Sequence, residues 1–257
     1  MNESRLLVDG EPVAPSAAPP WALQGASIFT TLRVEAGQPL HWDRHLARLA
    51  RTARDLGFAF PGEAALARDL AALAGAGSRL LLRLTLTEGP RLAGVRPFEP
   101  PPSSLYERGA QAVVSRQRVH PDLARYKTGS HLPYHLARRE AEAQGAFEGL
   151  LLDGANHLVD GSRTSPVLLQ GDRLIVLEGG LDGITREVVA EEAQATGLRI
   201  ERLSLRIDQL EGELLLAGTG VGLLPTAEPS AAARALIARF LPISSSEGSG
   251  SCQAQSG

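Results

Sequence analysis

The sequence predicts an α+β fold divided into two lobes, and three observations lead there. At 257 residues the chain exceeds the about 100–150 residues that one hydrophobic core usually organises. Its hydrophobic fraction of 43% and charged fraction of 21% belong to a globular enzyme rather than to a disordered or fibrous chain. Short runs of strand periodicity alternate with amphipathic helical runs, without the strict β-α-β rhythm of a doubly wound sheet. That pattern favours α+β, or an irregular barrel.

In chain order, a proline-rich entry from Pro12 to Pro20 leads into a β-rich run, Gly25 to Val34, ended by the turn Ala36-Gly37-Gln38-Pro39. Trp42, Leu46, Leu49, Ala53 and Leu56 recur at helical spacing, with Arg44, Arg48, Arg51 and Arg54 on other faces, so an amphipathic helix runs to Gly57. Glu63 to Ala74 reads as a second helix. Leu80, Leu82, Leu84 and Leu86 alternate with Leu81, Arg83, Thr85 and Thr87 as a strand with one dry face. Pro97 to Pro102 reads as a surface loop, and Gln111 to Arg118 as a polar strand approaching His120-Pro121, where the lobes change. The expected division is a small lobe over 1–119, a larger one over 120–243, and a disordered Ser- and Gly-rich tail over 244–257. In the second lobe a helix is expected over Leu132 to Gln144, and strands over Leu150 to Leu152, Pro166 to Gln170 and Leu174 to Leu177. A helix over Thr185 to Ala195, strands over Arg199 to Leu205 and Glu213 to Ala217, and a last helix over Ser230 to Phe240 follow.

Composition narrows the function. The net charge is -3 and the arginines are scattered among acids, which argues against a nucleic-acid surface. No stretch approaches the roughly 18 apolar residues of a membrane span, and the N-terminus carries acids without a charged-then-apolar signal, so a cytoplasmic location is expected. The one cysteine, Cys252, lies in the tail, leaving no disulfide framework, thiolate metal cluster or thiol nucleophile within the fold.

Lysine usage carries the most information. Lys127 is the one lysine among 26 basic residues, and every other is arginine. Arginine stays protonated and cannot condense with a carbonyl, whereas a partly desolvated lysine can lose its proton and form a Schiff base. Lys127 is therefore a candidate covalent anchor, and the alternative is a surface lysine left by chance.

Four segments decide between these readings. They are Ser27-Ile28-Phe29-Thr30-Thr31-Leu32-Arg33-Val34 with His45-Leu46-Ala47-Arg48-Leu49; Tyr126-Lys127-Thr128-Gly129; Val159-Asp160-Gly161-Ser162; and Gly183-Ile184-Thr185-Arg186. In order and spacing they resemble the fold type IV pyridoxal-phosphate enzymes, the class IV aminotransferase family that also contains 4-amino-4-deoxychorismate lyase, from about Gly25 to Thr226. The resemblance implies pyridoxal 5'-phosphate as cofactor, a two-lobed fold resembling D-amino acid aminotransferase with the cofactor at the lobe junction, a small-molecule amine substrate, and a homodimer. It makes Lys127 the Schiff-base lysine and Arg48 the arginine that grips the cofactor phosphate. Ile184 and Thr185 would give backbone amides to that phosphate, and a helix start behind Gly183 supplies a physical reason, since its free N–H groups and positive dipole end face an anion. Thr219, in Gly218-Thr219-Gly220, would add a hydroxyl.

Asp160 occupies the place of the carboxylate that pairs with the pyridine nitrogen, where most of the family has glutamate. Ser165 stands where asparagine is usual. Read on the residues alone, Arg48 fits a solvated helix face, Thr185 a helix cap, and Asp160 and Gly-Thr-Gly ordinary turns. Phe29 stands where the family's aminotransferases commonly carry tyrosine, and the Phe29-Thr30-Thr31 run with Arg33 resembles the lyase branch. The implied reaction forms 4-aminobenzoate and pyruvate, the former feeding folate synthesis. Thr30 and Thr31 are candidate hydroxyls near the ring, though a β-branched pair also simply suits a strand. Arg83, Arg91 and Arg96 are candidates for gripping substrate carboxylates. An aminotransferase for branched-chain or D-amino acids, and a relative that binds cofactor or metabolite without turnover, stay open.

Overall fold

The computed structural model describes residues 6–8, 11–13, 24–75 and 79–241. Strands β1 (Leu6–Val8) and β2 (Glu11–Val13) pair antiparallel. The rest of the proline-rich entry and the expected disordered tail lie outside the described residues.

The N-terminal lobe is a four-stranded antiparallel sheet in the order β4-β3-β5-β6. Its strands are β3 (Ser27–Glu35), β4 (Gln38–Pro39), β5 (Leu80–Thr87) and β6 (Leu92–Pro97). Helix α1 (Trp42–Leu56) lays Leu46, Leu49 and Ala53 on Ile28 and Leu32 of β3 and on Leu82 and Leu84 of β5. Such buried leucines each contribute about 1.5–3 kcal/mol relative to exposure, which seats the helix on the sheet. As expected, α1 closes at Gly57, whose φ of 77° is the left-handed conformation that ends many helices. Helix α2 (Glu63–Leu73) adds Leu66 to the same core.

Two expectations for this lobe need correction. β5 has more than one dry face: Leu81, Thr85 and Thr87 are also buried and Arg83 alone is exposed, because β5 is a central strand whose second face walls a cavity. The expected loop over Pro97 to Pro102 follows a strand, β6, that lacks any alternating pattern and exists through its pairing with β5. Phe98 there is 6% exposed, and helix α3 (Ser103–Arg108) follows at once.

The C-terminal lobe holds two sheets. One is three-stranded, from β7 (Ala112–Arg118), β8 (Glu148–Leu152) and β9 (Leu158–Gly161). Helices α4 (Pro121–Ala124) and α5 (Leu132–Ala143) connect β7 to β8. The other is five-stranded, ordered β12-β11-β10-β13-β14. Its members are β10 (Ser165–Gln170), β11 (Arg173–Leu177), β12 (Arg199–Leu203), β13 (Glu213–Gly218) and β14 (Gly222–Pro225). β11 and β12 run parallel, joined by helix α6 (Ile184–Ala195), whose Val189 and Ala193 enter the main core with Leu168, Leu174 and Leu215. Helix α7 (Ala231–Ala238), N-capped by the Ser230 hydroxyl, closes the lobe. No helix among the described residues is long and apolar enough to cross a membrane.

Strand pairing joins the segment just before the expected boundary at 119/120 to the strands that follow it. β7 pairs parallel with β8, and the Ala110 N–H donates to the Pro225 carbonyl at 2.7 Å, so residues 110–118 pack with the second group of strands. A polar strand carries no signal of which sheet it will join, so the pairing of β7 could not be read from the sequence.

Two devices lock the lobes together. Arg44, Arg48 and Arg51, spaced along one face of α1, all reach the second lobe. Arg44 pairs in both arms with Glu191 at 2.8 Å, Arg48 donates to the Asp182 carbonyl at 3.0 Å, and Arg51 lies 3.4 Å from the Asp182 carboxylate. The second device is backbone. The segment carrying Lys127 runs along β3, with the Phe29 N–H bonded to the Lys127 carbonyl at 2.9 Å and the Gly129 N–H to the Ser27 carbonyl at 2.7 Å. Gly129 permits this approach, since a Cβ there would stand 2.1 Å from the Ser27 hydroxyl.

Candidate active site

A cavity of about 680 Å³ opens at the lobe junction, and Arg48, Lys127, Asp160, Ile184, Thr185 and Thr219 all line it. Six residues scattered along the chain thus converge, as a small-molecule site requires.

Lys127 projects from the β3-bound segment, its ammonium 4.9 Å from the centre of the Phe29 ring. Burial lowers its pKa from the ordinary lysine value, Arg48 and Arg83 push the same way, and Asp160 opposes them. The amine is therefore more easily neutral, and more nucleophilic, than a solvated lysine.

Asp160 stands near the end of β9 and is 3% exposed. Its carboxylate accepts the Gly161 N–H at 3.1 Å and the Leu181 N–H at 3.2 Å. Burial raises its pKa, against the nearby charges of Arg186 and Lys127 and the two backbone donors. The Leu181 amide gets this close because Gly180 packs on β9, where a Cβ would lie 1.9 Å from the Val159 carbonyl oxygen. A buried carboxylate held by fixed donors is suited to pair with a protonated ring nitrogen.

The opposite end of the cavity suits an anion. α6 begins at Ile184 with Gly183 as N-cap and no side-chain cap, so Thr185 does not serve as the cap. The first turn's N–H groups, which have no acceptor within the helix, therefore face the cavity with the positive dipole end. Arg48, 7% exposed, is fixed beside them by the Asp182 carbonyl. Burial draws its pKa down to about 10, partly offset by Asp182, so it stays cationic at neutral pH. No hydrogen bond ties the Thr185 or Thr219 hydroxyl among the described residues, leaving both free for a ligand. Cationic arginine, unpaired amides and free hydroxyls fit a phosphate, and the amine and buried carboxylate fit the rest of a pyridoxal phosphate. The residues present therefore accommodate the cofactor.

Thr30 corrects the expectation of a hydroxyl near the ring. It is 1% exposed and does not line the cavity, because strand residues alternate faces and the cavity side of β3 belongs to Phe29 and Thr31. Its Oγ accepts from Arg48 Nη2 at 2.9 Å and lies 2.7 Å from His45 Nδ1. Burial, helped by the Arg48 charge, holds the His45 pKa down to about 3, so the ring is neutral. Thr30 Oγ and the neutral His45 Nδ1 share one hydrogen, so the hydroxyl bridges the ring and the Arg48 guanidinium. Thr30 and His45 hold Arg48 from behind.

Of the three arginines expected near substrate, Arg83 and Arg96 line the cavity, whereas Arg91 is outside it, paired with Asp69 at 2.7 Å. Ser165 is buried beside Gly183. Sequence reading missed Glu148, fully buried, which accepts the Gly149 and Ser162 N–H groups at 2.9 and 2.8 Å and the Thr164 hydroxyl at 2.6 Å, fixing the turn after Asp160. It also gave no role to Arg186, 4% exposed, which donates to the Leu177 carbonyl at 3.0 Å and lowers the Asp160 pKa. The His-x-x-Arg and Gly-Ile-Thr-Arg spellings contained His45 and Arg186. Nothing in the sequence flagged Glu148.

Comparison with known proteins agrees with this geometry. A solved structure provisionally named 4-amino-4-deoxychorismate lyase is 54% identical, with a TM-score of 0.88 over 92% of this chain and 98% of that one. A branched-chain amino acid aminotransferase from T.th., solved with pyridoxamine 5'-phosphate, shares the fold at 20% identity, with a TM-score of 0.74 over 90% of this chain and 91% of that one. A protein of Rickettsia conorii provisionally named a branched-chain-amino-acid aminotransferase is 29% identical over 113 residues, 41% of this chain and 39% of the relative, so the match spans about two fifths of that protein's length. The family model described as amino-transferase class IV matches residues 27–228. The chain belongs to the class IV aminotransferase family, whose cofactor is pyridoxal 5'-phosphate.

Proposed function

We propose that this protein is a pyridoxal-phosphate-dependent lyase that converts 4-amino-4-deoxychorismate to 4-aminobenzoate and pyruvate, a step that supplies folate synthesis. The observation that carries this reading is the 54% identity, over 98% of its length, to the structure named for that lyase. Phe29 on the cavity wall supports it, because it offers the substrate an apolar face without a tyrosine hydroxyl.

In this reading Arg48, the Ile184 and Thr185 amides and the Thr219 hydroxyl would hold the phosphate, Asp160 would pair with the ring nitrogen, and Lys127 would bind the aldehyde. When bound, pyridoxal phosphate would supply an electron sink for the carbon beside the substrate nitrogen. Lys127 would be the residue that takes the proton from that carbon, and its lowered pKa keeps part of it neutral near pH 7. Loss of that proton and cleavage of the ether C–O bond aromatise the ring, and the departing enolpyruvate takes up a proton to become pyruvate. Thr30 and His45 act through Arg48, as positioning residues.

The test is direct. Purified holoenzyme incubated with 4-amino-4-deoxychorismate is expected to release 4-aminobenzoate and pyruvate in equal amounts. Absence of aminobenzoate, with keto acid released from branched-chain or D-amino acids instead, would establish the aminotransferase reading, which the Rickettsia relative favours. The same proposal includes a homodimer in the cytoplasm. A light-scattering mass equal to two chains would support the dimer, and the mass of one chain would overturn it.

A further inference from the structure

One buried carboxylate has no part in the chemistry described so far. Glu148 is fully buried and does not line the cavity, whereas residues 160–165 all do. β8 runs beside β9 with Leu151 paired to Asp160 and Leu150 to Gly161, which brings Glu148 against the turn that leaves β9. Its backbone is fixed from the other side by Gly149, where a Cβ would stand 2.3 Å from the Ala137 carbonyl, so α5 abuts the strand at that point.

Every hydrogen bond Glu148 makes with its side chain is one it accepts. Oε1 takes the Gly149 N–H at 2.9 Å, the Ser162 N–H at 2.8 Å and the Ser162 hydroxyl, and Oε2 takes the Thr164 hydroxyl at 2.6 Å. Four donors converging on two oxygens call for a group with no donor of its own, which a carboxylate is and an amide is not. From there a chain of hydrogen bonds leads to Asp160. Thr164, held by its hydroxyl, offers its carbonyl to the Gly161 N–H at 2.8 Å, and the same N–H reaches the Asp160 carboxylate at 3.1 Å. Gly161 leaves no space for slack in this chain, since a Cβ would lie 2.8 Å from the Thr164 carbonyl and 3.0 Å from the Glu148 carboxyl carbon. The turn is therefore closed directly on the buried carboxylate.

We infer that Glu148 is a positioning residue that aims Asp160: by holding Thr164 it fixes the Gly161 amide, and that amide holds the carboxylate facing the cavity. The inference rests on the pairing of Asp160 with the ring nitrogen proposed above, and it is the same for a lyase and for an aminotransferase. Because Glu148 does not reach the cavity, any change it makes to the bound cofactor is transmitted through the turn.

The experiment compares wild type with Glu148→Gln, Asp160→Asn and the double variant. Two quantities are read: the affinity of the apoprotein for pyridoxal phosphate, by fluorescence quenching, and the pH midpoint of the visible band of the holoenzyme, measured well below its melting temperature. Glutamine keeps the shape of Glu148 but turns an amide N–H2 toward one of its donors, so affinity is expected to fall about five- to tenfold, of the order of one charged hydrogen bond made neutral. The band midpoint should move in the same direction as in Asp160→Asn. With Asp160 already replaced there is no carboxylate left to aim, so adding Glu148→Gln should weaken binding by less than about twofold more. Should Glu148→Gln fail to fold, Thr164→Val, alone and combined with Asp160→Asn, removes the next link of the chain and is expected to give the same pattern. A Glu148 that only cements the fold gives a lower melting temperature with wild-type affinity and midpoint, or effects that add in full to those of Asp160→Asn, and either result overturns the inference. Wild-type affinity and midpoint in Asp160→Asn itself would remove the ring-nitrogen pairing, and the inference with it.

Discussion

Replacing Thr30 by valine tests how the phosphate end of the cavity is built. Valine matches threonine in shape and suits a strand, so β3 and its pairing with β5 should persist. What disappears is one hydroxyl serving two buried partners, Arg48 Nη2 at 2.9 Å and His45 Nδ1 at 2.7 Å. A hydrogen bond from a charged donor is worth about 1.5–3 kcal/mol and a neutral one about 1, and leaving a buried partner unsatisfied keeps the full desolvation penalty. With Arg48 7% and His45 2% exposed, little solvent can compensate. The apo variant should lose about 3 kcal/mol, which for a chain of this size lowers Tm by about 6–12 °C. Arg48, released from one of its two anchors, should bind cofactor about tenfold more weakly. Fluorescence-quenching titration with pyridoxal phosphate and thermal unfolding of the apoprotein read both effects, and Thr30→Ser should restore most of each. Losses under about 0.5 kcal/mol with unchanged cofactor affinity would refute the claim that Thr30 acts by holding Arg48.

Three further outcomes follow from the geometry. Lys127→Ala should abolish the visible absorbance of the bound cofactor along with activity, and borohydride reduction of wild type should fix the cofactor on the peptide containing Lys127; a coloured, active variant would remove the lysine from the chemistry. Gly180→Ala should destabilise the fold by at least about 2 kcal/mol, measured by denaturant unfolding, because its Cβ would meet the Val159 carbonyl at 1.9 Å and push Leu181 off Asp160; a variant as stable as wild type would show that the approach is not needed. His45 is held neutral with its pKa down at about 3, while the unfolded chain protonates near 6.5, so between those values the unfolded state binds more protons and stability falls as pH drops. From about pH 6.5 to 5 this amounts to about 2 kcal/mol at about 1.36 kcal/mol per unit, seen as a steeper acid slope in wild type than in His45→Gln, and equal slopes would contradict it.

The sequence revealed the site better than the lobes. Lys127 stood out because arginine replaced lysine everywhere else, and helices such as α1 and α6 announced themselves through long amphipathic or capped runs. β6, β9 and β14 went unread because four- to six-residue strands exist by pairing with distant partners, which local pattern does not encode. β7 was read as a strand, but its partner β8 was not legible, for the same reason. Thr30 and Thr31 were indistinguishable as spellings, and the pleat then gave one to the cavity and the other to the core. Glu148 was invisible because its role arises when β8 is brought beside the turn at 161–164.

The backbone bond between Phe29 and Lys127 has an evolutionary corollary. The amine is delivered by one half of the chain but aimed by a strand of the other, and that strand also supplies the ring flanking it. Chimaeras that graft the first half of one homologue onto the second half of another would disturb the lysine's aim wherever their β3 strands differ at Ser27 or Phe29, so these two halves are expected to drift as a matched set.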